Sequence, residues 1–124
     1  MRLFFAIIIA LSSAFVSPTG NGAEFYFLDK NHDFTDTKAG KVLKHDYSFT
    51  NSGNQPLIIT DYKVACSCTK ITFPAQPIAP GETGVIHLEF DTAGKKGFQS
   101  RKIEIVSNAK KRTKLSFRVF VLTS

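Results

Sequence analysis

Two cysteines one residue apart, Cys66-Ser67-Cys68, are the one place in the 124-residue chain where closely spaced side chains could carry covalent or metal chemistry. In a regular strand residues i and i+2 face the same way, so the two sulfurs would be neighbours. Three readings compete. As a disulfide, the pair closes a very small ring. Extended i and i+2 Cα atoms stand about 6.5 to 7 Å apart, at the long end of disulfide geometry, so a bridge needs a local kink. As a metal site, Cys66 and Cys68 offer two thiolates that suit copper or zinc, whereas a closed zinc site takes four ligands. The three histidines are scattered: His32 stands apart, His45 falls on the apolar parity of its segment and His87 on the polar one. As packing elements, the cysteines are small, half-buried hydrophobes at a sheet bend.

No catalytic residues can be assigned. The chain has no Gly-x-Ser-x-Gly, His-Glu-x-x-His, Gly-x-Gly-x-x-Gly or Gly-x-x-x-x-Gly-Lys pattern. Acidic residues such as Asp46, Asp61, Glu89 and Glu104 stand mostly opposite in parity to the apolar positions, which marks them as wet-face charges. The sequence therefore predicts a non-enzyme with no cofactor, copper or zinc at the cysteine pair being the exception left open.

The elements that must position the cysteines are strands. Turn-forming residues gather at Lys38-Ala39-Gly40, Asn51 to Pro56, Pro74 to Gly81, Asp91 to Gly97 and Asn108 to Arg112. Between them run segments rich in Val, Ile, Phe, Thr and Tyr. Leu43, His45, Tyr47 and Phe49 alternate with polar residues, as do Ile86, Leu88 and Phe90, and Leu115, Phe117, Val119 and Val121. The pattern predicts about seven strands, near 24–28, 41–50, 57–65, 68–73, 84–91, 99–107 and 113–122. Short strands at this spacing argue an all-β, immunoglobulin-like antiparallel β-sandwich, with a closed barrel as the alternative. With no Trp and no distant cysteine pair, apolar side chains must hold the sheets together. Asn51 suits an Asx turn closed on Gly53, and Pro80-Gly81 fits the central positions of a type II turn.

The amino terminus reads as a secretory leader. Met1-Arg2 is followed by the apolar segment Leu3 to Leu11 and the small residues Ser12, Ser13 and Ala14. Even extended to Val16 this stretch falls short of the roughly 20 residues that span a bilayer. Cleavage after Ala14, Gly22 or Ala23 fits the residues. With the boundary near Ala23, the chain divides into a signal peptide (1–23) and one sandwich domain (24–124). No cysteine follows the apolar segment to carry a lipid, so the product is expected to be exported, periplasmic or extracellular, and not membrane-spanning once the leader is gone. Loss of Arg2 lowers the formal charge from +6 to +5. The surplus gathers in Lys95-Lys96 and in Lys110-Lys111-Arg112 with Lys114, both in turn segments. Such clusters keep a sheet protein soluble, or dock on an anionic surface such as an acidic glycan or phospholipid headgroups. The address and the lack of a helix or aromatic platform argue against nucleic acid.

Five ordered motifs carry a wider resemblance: Asp46-Tyr-Ser-Phe-Thr-Asn-Ser-Gly-Asn-Gln-Pro-Leu-Ile-Ile-Thr, Cys66-Ser-Cys-Thr, Pro77-Ile-Ala-Pro-Gly-Glu-Thr-Gly, Phe90-Asp-Thr-Ala-Gly-Lys-Lys-Gly and Val106-Ser-Asn. Over about Phe34 to Val121 the chain resembles the domain-of-unknown-function 1573 family, exported bacterial proteins with an immunoglobulin-like domain similar to Hydin-type domains. The resemblance implies fold and export and carries no established reaction. Two positions depart from the family pattern: Ser67 stands where a glycine usually separates the cysteines, and Thr35 follows Asp33-Phe34 where a glycine is frequent. Together these features predict a monomeric, non-catalytic binding or structural module of the bacterial envelope, with an unknown protein or an envelope glycan as partner. The alternative is a periplasmic metal-binding or thiol-redox protein using Cys66 and Cys68.

Overall fold

The computed structural model describes residues 22–123, so the apolar leader segment and its Ala14 processing point lie outside the described residues. Nine strands form: β1 Phe25–Phe27, β2 Asn31–Asp33, β3 Thr37–Lys38, β4 Val42–Asn51, β5 Ile59–Lys63, β6 Thr69–Thr72, β7 Thr83–Asp91, β8 Gly97–Ser107 and β9 Thr113–Leu122. They make two sheets, one ordered β1-β4-β7-β6 and the other β2-β9-β8-β5 with β3 also on β9. Seven strands coincide with the segments read from sequence. The two additions, β2 and β3, come from the stretch between β1 and β4, and both pair with β9 in parallel, so the second sheet is mixed. Leu28 to Lys30 carry the chain from the edge of one sheet to the edge of the other.

Alternation decides which side of each strand is dry. In β4 the sequence Leu43-His45-Tyr47-Phe49 faces the interior and becomes fully buried at Tyr47 and Phe49. Ile86, Leu88 and Phe90 of β7 meet Ile103 and Ile105 of β8 and Leu115, Phe117, Val119 and Val121 of β9 in one core. Each such side chain contributes roughly 1.5–3 kcal/mol through its burial. An aromatic contact joins the sheets, with the Phe90 and Phe117 rings 4.9 Å apart, and Phe34, whose N donates to Arg118 O of β9, packs on Phe117 at 5.9 Å from within the second sheet. The Tyr47 hydroxyl crosses between the sheets to donate to the Ser116 carbonyl at 2.7 Å. Burial above all, with Asp29 nearby, pushes that hydroxyl well above the ordinary tyrosine range, so it stays protonated as the donor.

Asn51 ends β4 and is fully buried, and its amide organises the connections at that end of the sandwich. The side-chain oxygen accepts from Gly53 N at 3.0 Å, closing the expected Asx turn, and from Glu24 N at 3.3 Å. The amide nitrogen donates to Gln55 O at 2.8 Å and Ile78 O at 2.9 Å. Leu57 and Ile78 pair beside it through two backbone hydrogen bonds. Pro80-Gly81 makes the turn the sequence predicts: Glu82 N donates to Ala79 O at 2.9 Å, and Gly81 holds a φ of 83°. Gly84, in the interior of β7, has a different cause. It stands opposite Phe49 in register, and a Cβ there would come within 2.6 Å of the Phe49 ring. The absent side chain is what leaves room for the tip of that ring against the strand.

Candidate functional site

Cys66 and Cys68 lie in the connection from β5 to β6, the end strands of the two sheets. The chain turns here instead of extending. Thr69 N donates to Cys66 O at 3.2 Å, and the Cα atoms of the two cysteines approach to 5.2 Å, closer than an extended segment allows. That turn is the kink a bridge requires, and the two sulfurs are joined in a disulfide. Cys68 N donates to the Cys66 sulfur at 3.2 Å, and Cys68 O accepts from Asp91 N at 2.9 Å, anchoring the turn to β7. Both cysteines are half-buried, Cys68 packing against the core, while Ser67 is exposed. No non-glycine residue among those described adopts a positive φ, so serine fits between the cysteines without backbone strain.

With each sulfur bonded to the other, neither is a thiolate. A copper or zinc ion would meet two ligands here only after reduction. Among the described residues no group of three or more His, Cys, Asp and Glu side chains is arranged to hold a metal ion. Because the loop closed by the bridge is so short, the chain-entropy account assigns it only about 1.5 kcal/mol of stability. Urea unfolding of the Cys66→Ser/Cys68→Ser variant is expected to show a loss of about that size with an unchanged slope; a loss beyond about 4 kcal/mol would make the bridge a principal support of the fold.

The histidines fall into two unrelated places. His87 lies on the outer face of the first sheet, where its Nδ1 meets Asp46 Oδ1 at 2.6 Å across the β4–β7 pairing. His45, on the inner parity as its alternation predicts, stacks on His32 with ring centroids 3.6 Å apart and planes 10° from parallel. Phe34 meets the edge of His32, and Tyr47 that of His45. The pair closes the sandwich where β2 of one sheet passes β4 of the other, and no local sequence signal links residues 32 and 45. Burial, then the neighbouring His32, hold His45 below the ordinary histidine value of 6.5, while Asp46 and Asp29 oppose the shift. A histidine that binds its proton less readily when folded costs stability as pH falls. Stability should hold above about pH 6.5, decline as pH drops from there through the lowered folded value, and level off below it. His45→Gln should flatten that decline in urea midpoints measured from pH 7.5 to 4.5, and an unaltered pH profile would remove His45 as its cause.

Two further surfaces bear on binding. On the outer face of the second sheet, Phe98 of β8 and Phe120 of β9 are register partners, and Leu122 stands two residues further along the same face. They are 63%, 45% and 39% exposed. Sequence reading missed this corner because Phe98 falls between the turn segment ending at Gly97 and the strand expected from residue 99, and Phe120 lies on the polar parity of β9. The two lysine clusters occupy opposite ends of β8: Lys95-Lys96 precede it, and Lys110-Lys111-Arg112 form the β8–β9 turn. Eleven residues of strand place them about 35 Å apart. No helix among the described residues is long and apolar enough to cross a membrane.

A family model described as "Protein of unknown function (DUF1573)" matches residues 25–121. No curated protein matches the chain. Among solved structures, the sandwich resembles a protein of unknown function from Porphyromonas gingivalis W83, with a TM-score of 0.69 at 14% identity, over 87% of this chain and 50% of that one. It also resembles the seventh ASH/PapD-like domain of human CEP192, with a TM-score of 0.64 at 9% identity, over 91% of this chain and 96% of that one. The Vibrio cholerae VesB protease contains a similar unit, with a TM-score of 0.64 at 12% identity, over 80% of this chain and 32% of that one. The chain thus spans half of the Porphyromonas protein and about a third of VesB. Likeness at such identities is a likeness of fold, and function has to be argued from the surface of this chain.

Proposed function

The chain belongs to the DUF1573 family, and from that premise we propose that it is an exported, non-catalytic, monomeric immunoglobulin-like module that binds a protein partner in the bacterial envelope. The observation that carries this reading is the apolar corner of Phe98, Phe120 and Leu122. Large apolar side chains left side by side on the outer face of a sheet cost solubility unless something covers them, and such patches mark interaction surfaces. Aromatic anchors of this kind dominate binding energy at protein interfaces.

Export rests on the leader. Of the processing points compatible with the residues, the one after Ala14 also keeps the first contacts of the domain. Gly22 N donates to Asn54 Oδ1 at 2.7 Å, Asn54 N donates back to Gly22 O at 2.9 Å, and Ala23 is buried. Cleavage after Gly22 or Ala23 removes those bonds. Osmotic-shock release followed by amino-terminal sequencing is expected to find the chain in the released fraction beginning at Phe15, upstream of the boundary near Ala23 read from the sequence; a cytoplasmic chain beginning at Met1 would overturn export. For the binding claim, Phe98→Ser/Phe120→Ser/Leu122→Ser should leave the urea midpoint nearly unchanged and abolish co-purification of a discrete partner from envelope extracts. Retained co-purification would dismiss the corner.

A second reading is favoured by the half-exposed disulfide. A partner dithiol attacks one sulfur as its thiolate and forms a mixed disulfide. Its second thiol then releases the partner as a disulfide and leaves Cys66 and Cys68 as thiols, with two electrons and two protons transferred. Reduced thiols could then hold copper or zinc with ligands supplied from outside the chain. Trapping a mixed disulfide with Cys68→Ser but not with the double serine variant supports exchange, and its absence with both single serine variants would remove it.

A further inference from the structure

We infer that the β8–β9 end of the sandwich is a binding site for an acidic polysaccharide, a surface separate from the apolar corner. The turn residues Lys110, Lys111 and Arg112 stand between two clefts. One, of about 230 Å³, runs along β8 toward Lys63 and is also lined by Glu104 and Ser107. The other, of about 210 Å³, lies toward the amino-terminal strand and is also lined by Phe25 and Lys30. A third cleft of about 250 Å³ continues the first across the sheet between Lys63, Lys102 and Lys114. Strand pairing fixes this convergence: Lys63, Glu104 and Lys114 are register neighbours across β5, β8 and β9, and Lys30 O accepts from Ser116 N on the far side of β9.

Seven cations therefore gather here from four separate parts of the chain, against Glu24 and Glu104. None of the seven takes part in an ion pair among the described residues, whose salt bridges join Lys44 to Glu89, His87 to Asp46 and Arg118 to Asp33. Exposed cations without protein partners raise the local potential and attract anions, each weakly and all together appreciably. The shape selects the kind of anion. Clefts on both sides of the turn and onward across the sheet suit a linear chain bearing repeated charges. Phe25, Ala23 and Ala109 line one cleft and give the apolar face of a sugar ring a surface to lie on. The turn itself, Asn108-Ala109-Lys110-Lys111-Arg112, has no large apolar side chain to enter a bilayer; Ile58, bonded to Asn108 beside it, is 42% exposed, and the exposed Phe98 and Phe120 are at the opposite end.

The test uses the exported chain with heparin as a sulfated probe, polygalacturonate as a carboxylate probe, dextran as a neutral control, and vesicles of phosphatidylglycerol with phosphatidylcholine. Binding to heparin and polygalacturonate, weakening steadily with added salt, is expected. Lys110→Glu/Lys111→Glu/Arg112→Glu should weaken it at least about tenfold, and Glu104→Gln should tighten it. Lys63→Gln/Lys102→Gln, which leaves the turn intact, should weaken it in the same direction. Lys95→Glu/Lys96→Glu should change it far less. Equal losses from the two lysine clusters would reduce the effect to net charge and overturn the site, as would binding to vesicles alone or to neither probe. The Phe98→Ser/Phe120→Ser/Leu122→Ser variant keeps polysaccharide binding, so failure of the protein-partner reading and failure of this one are told apart.

Discussion

Replacing Asn51 with alanine is expected to lower stability by about 4 kcal/mol, measured as a shift of the urea midpoint at constant slope. The amide uses both of its acceptor positions and both of its donors, and every partner is backbone: Glu24 N, Gly53 N, Gln55 O and Ile78 O. Its orientation is thereby fixed, since the two carbonyls can face only the nitrogen end and the two N–H groups only the oxygen. Alanine leaves Glu24 N, Gly53 N and Gln55 O beside a fully buried position without partners, at about 1–3 kcal/mol each before water relieves some of them, while Ile78 O keeps its bond from Leu57 N. Against a typical total of about 5–15 kcal/mol, that is a large share. Asn51→Asp supplies a second reading of the same geometry. A carboxylate would face the Gln55 and Ile78 carbonyls without a proton to give, so the variant should be at least as unstable at neutral pH and recover partly in acid. A loss under about 1 kcal/mol for alanine would mean that the connections hold one another without Asn51.

Phe117→Ala is expected to cost about 3–5 kcal/mol, and Phe120→Ala, three residues along the same strand, less than about 0.5 kcal/mol. Phe117 is fully buried and packs on Phe90 from the facing sheet and on Phe34, so alanine removes apolar contact from both sheets and opens a cavity between them. Phe120 points away from the core and is 45% exposed. The contrast, read in urea midpoints, tests the alternation of β9 directly. Comparable losses at the two positions would contradict the facing of the strand. A small effect at Phe120 also means that binding experiments on the apolar corner measure binding and not unfolding.

Legibility in the sequence followed the physics of each segment. β4, β7 and β9 are long and wet on one side, so burial imposes a period of two on their residues, and their inner faces could be read position by position. Asn31–Asp33 and Thr37–Lys38 are too short for a period and consist entirely of polar residues. They become strands because the free edge of β9 offers hydrogen bonds, a cause located more than 80 residues away. The cysteine pair was legible as a site but its backbone was not: the same-face reading assumed an extended strand, whereas Thr69 and Asp91 bind a turn in place. The basic end was half legible. Lys110 to Lys114 are visible in line, but Lys30, Lys63 and Lys102 join them only through sheet pairing.

The fold thus presents chemically different surfaces at its extremities: an apolar corner at the start of β8, a basic set of clefts at its end, and a half-exposed disulfide between the end strands of the two sheets. If both proposed contacts exist, the chain is an adaptor between a protein and an acidic glycan, and the two sets of substitutions remove each contact separately.

The most direct test places a photo-crosslinking phenylalanine analogue at Phe120 in the native host, with the same analogue at Lys44 on the outer face of the other sheet. One discrete protein adduct is expected from position 120, suppressed by Phe98→Ser/Leu122→Ser, and none from position 44. Equal adducts from both positions, an adduct of two copies of this chain, or no adduct from position 120 would contradict a protein-binding role for the apolar corner.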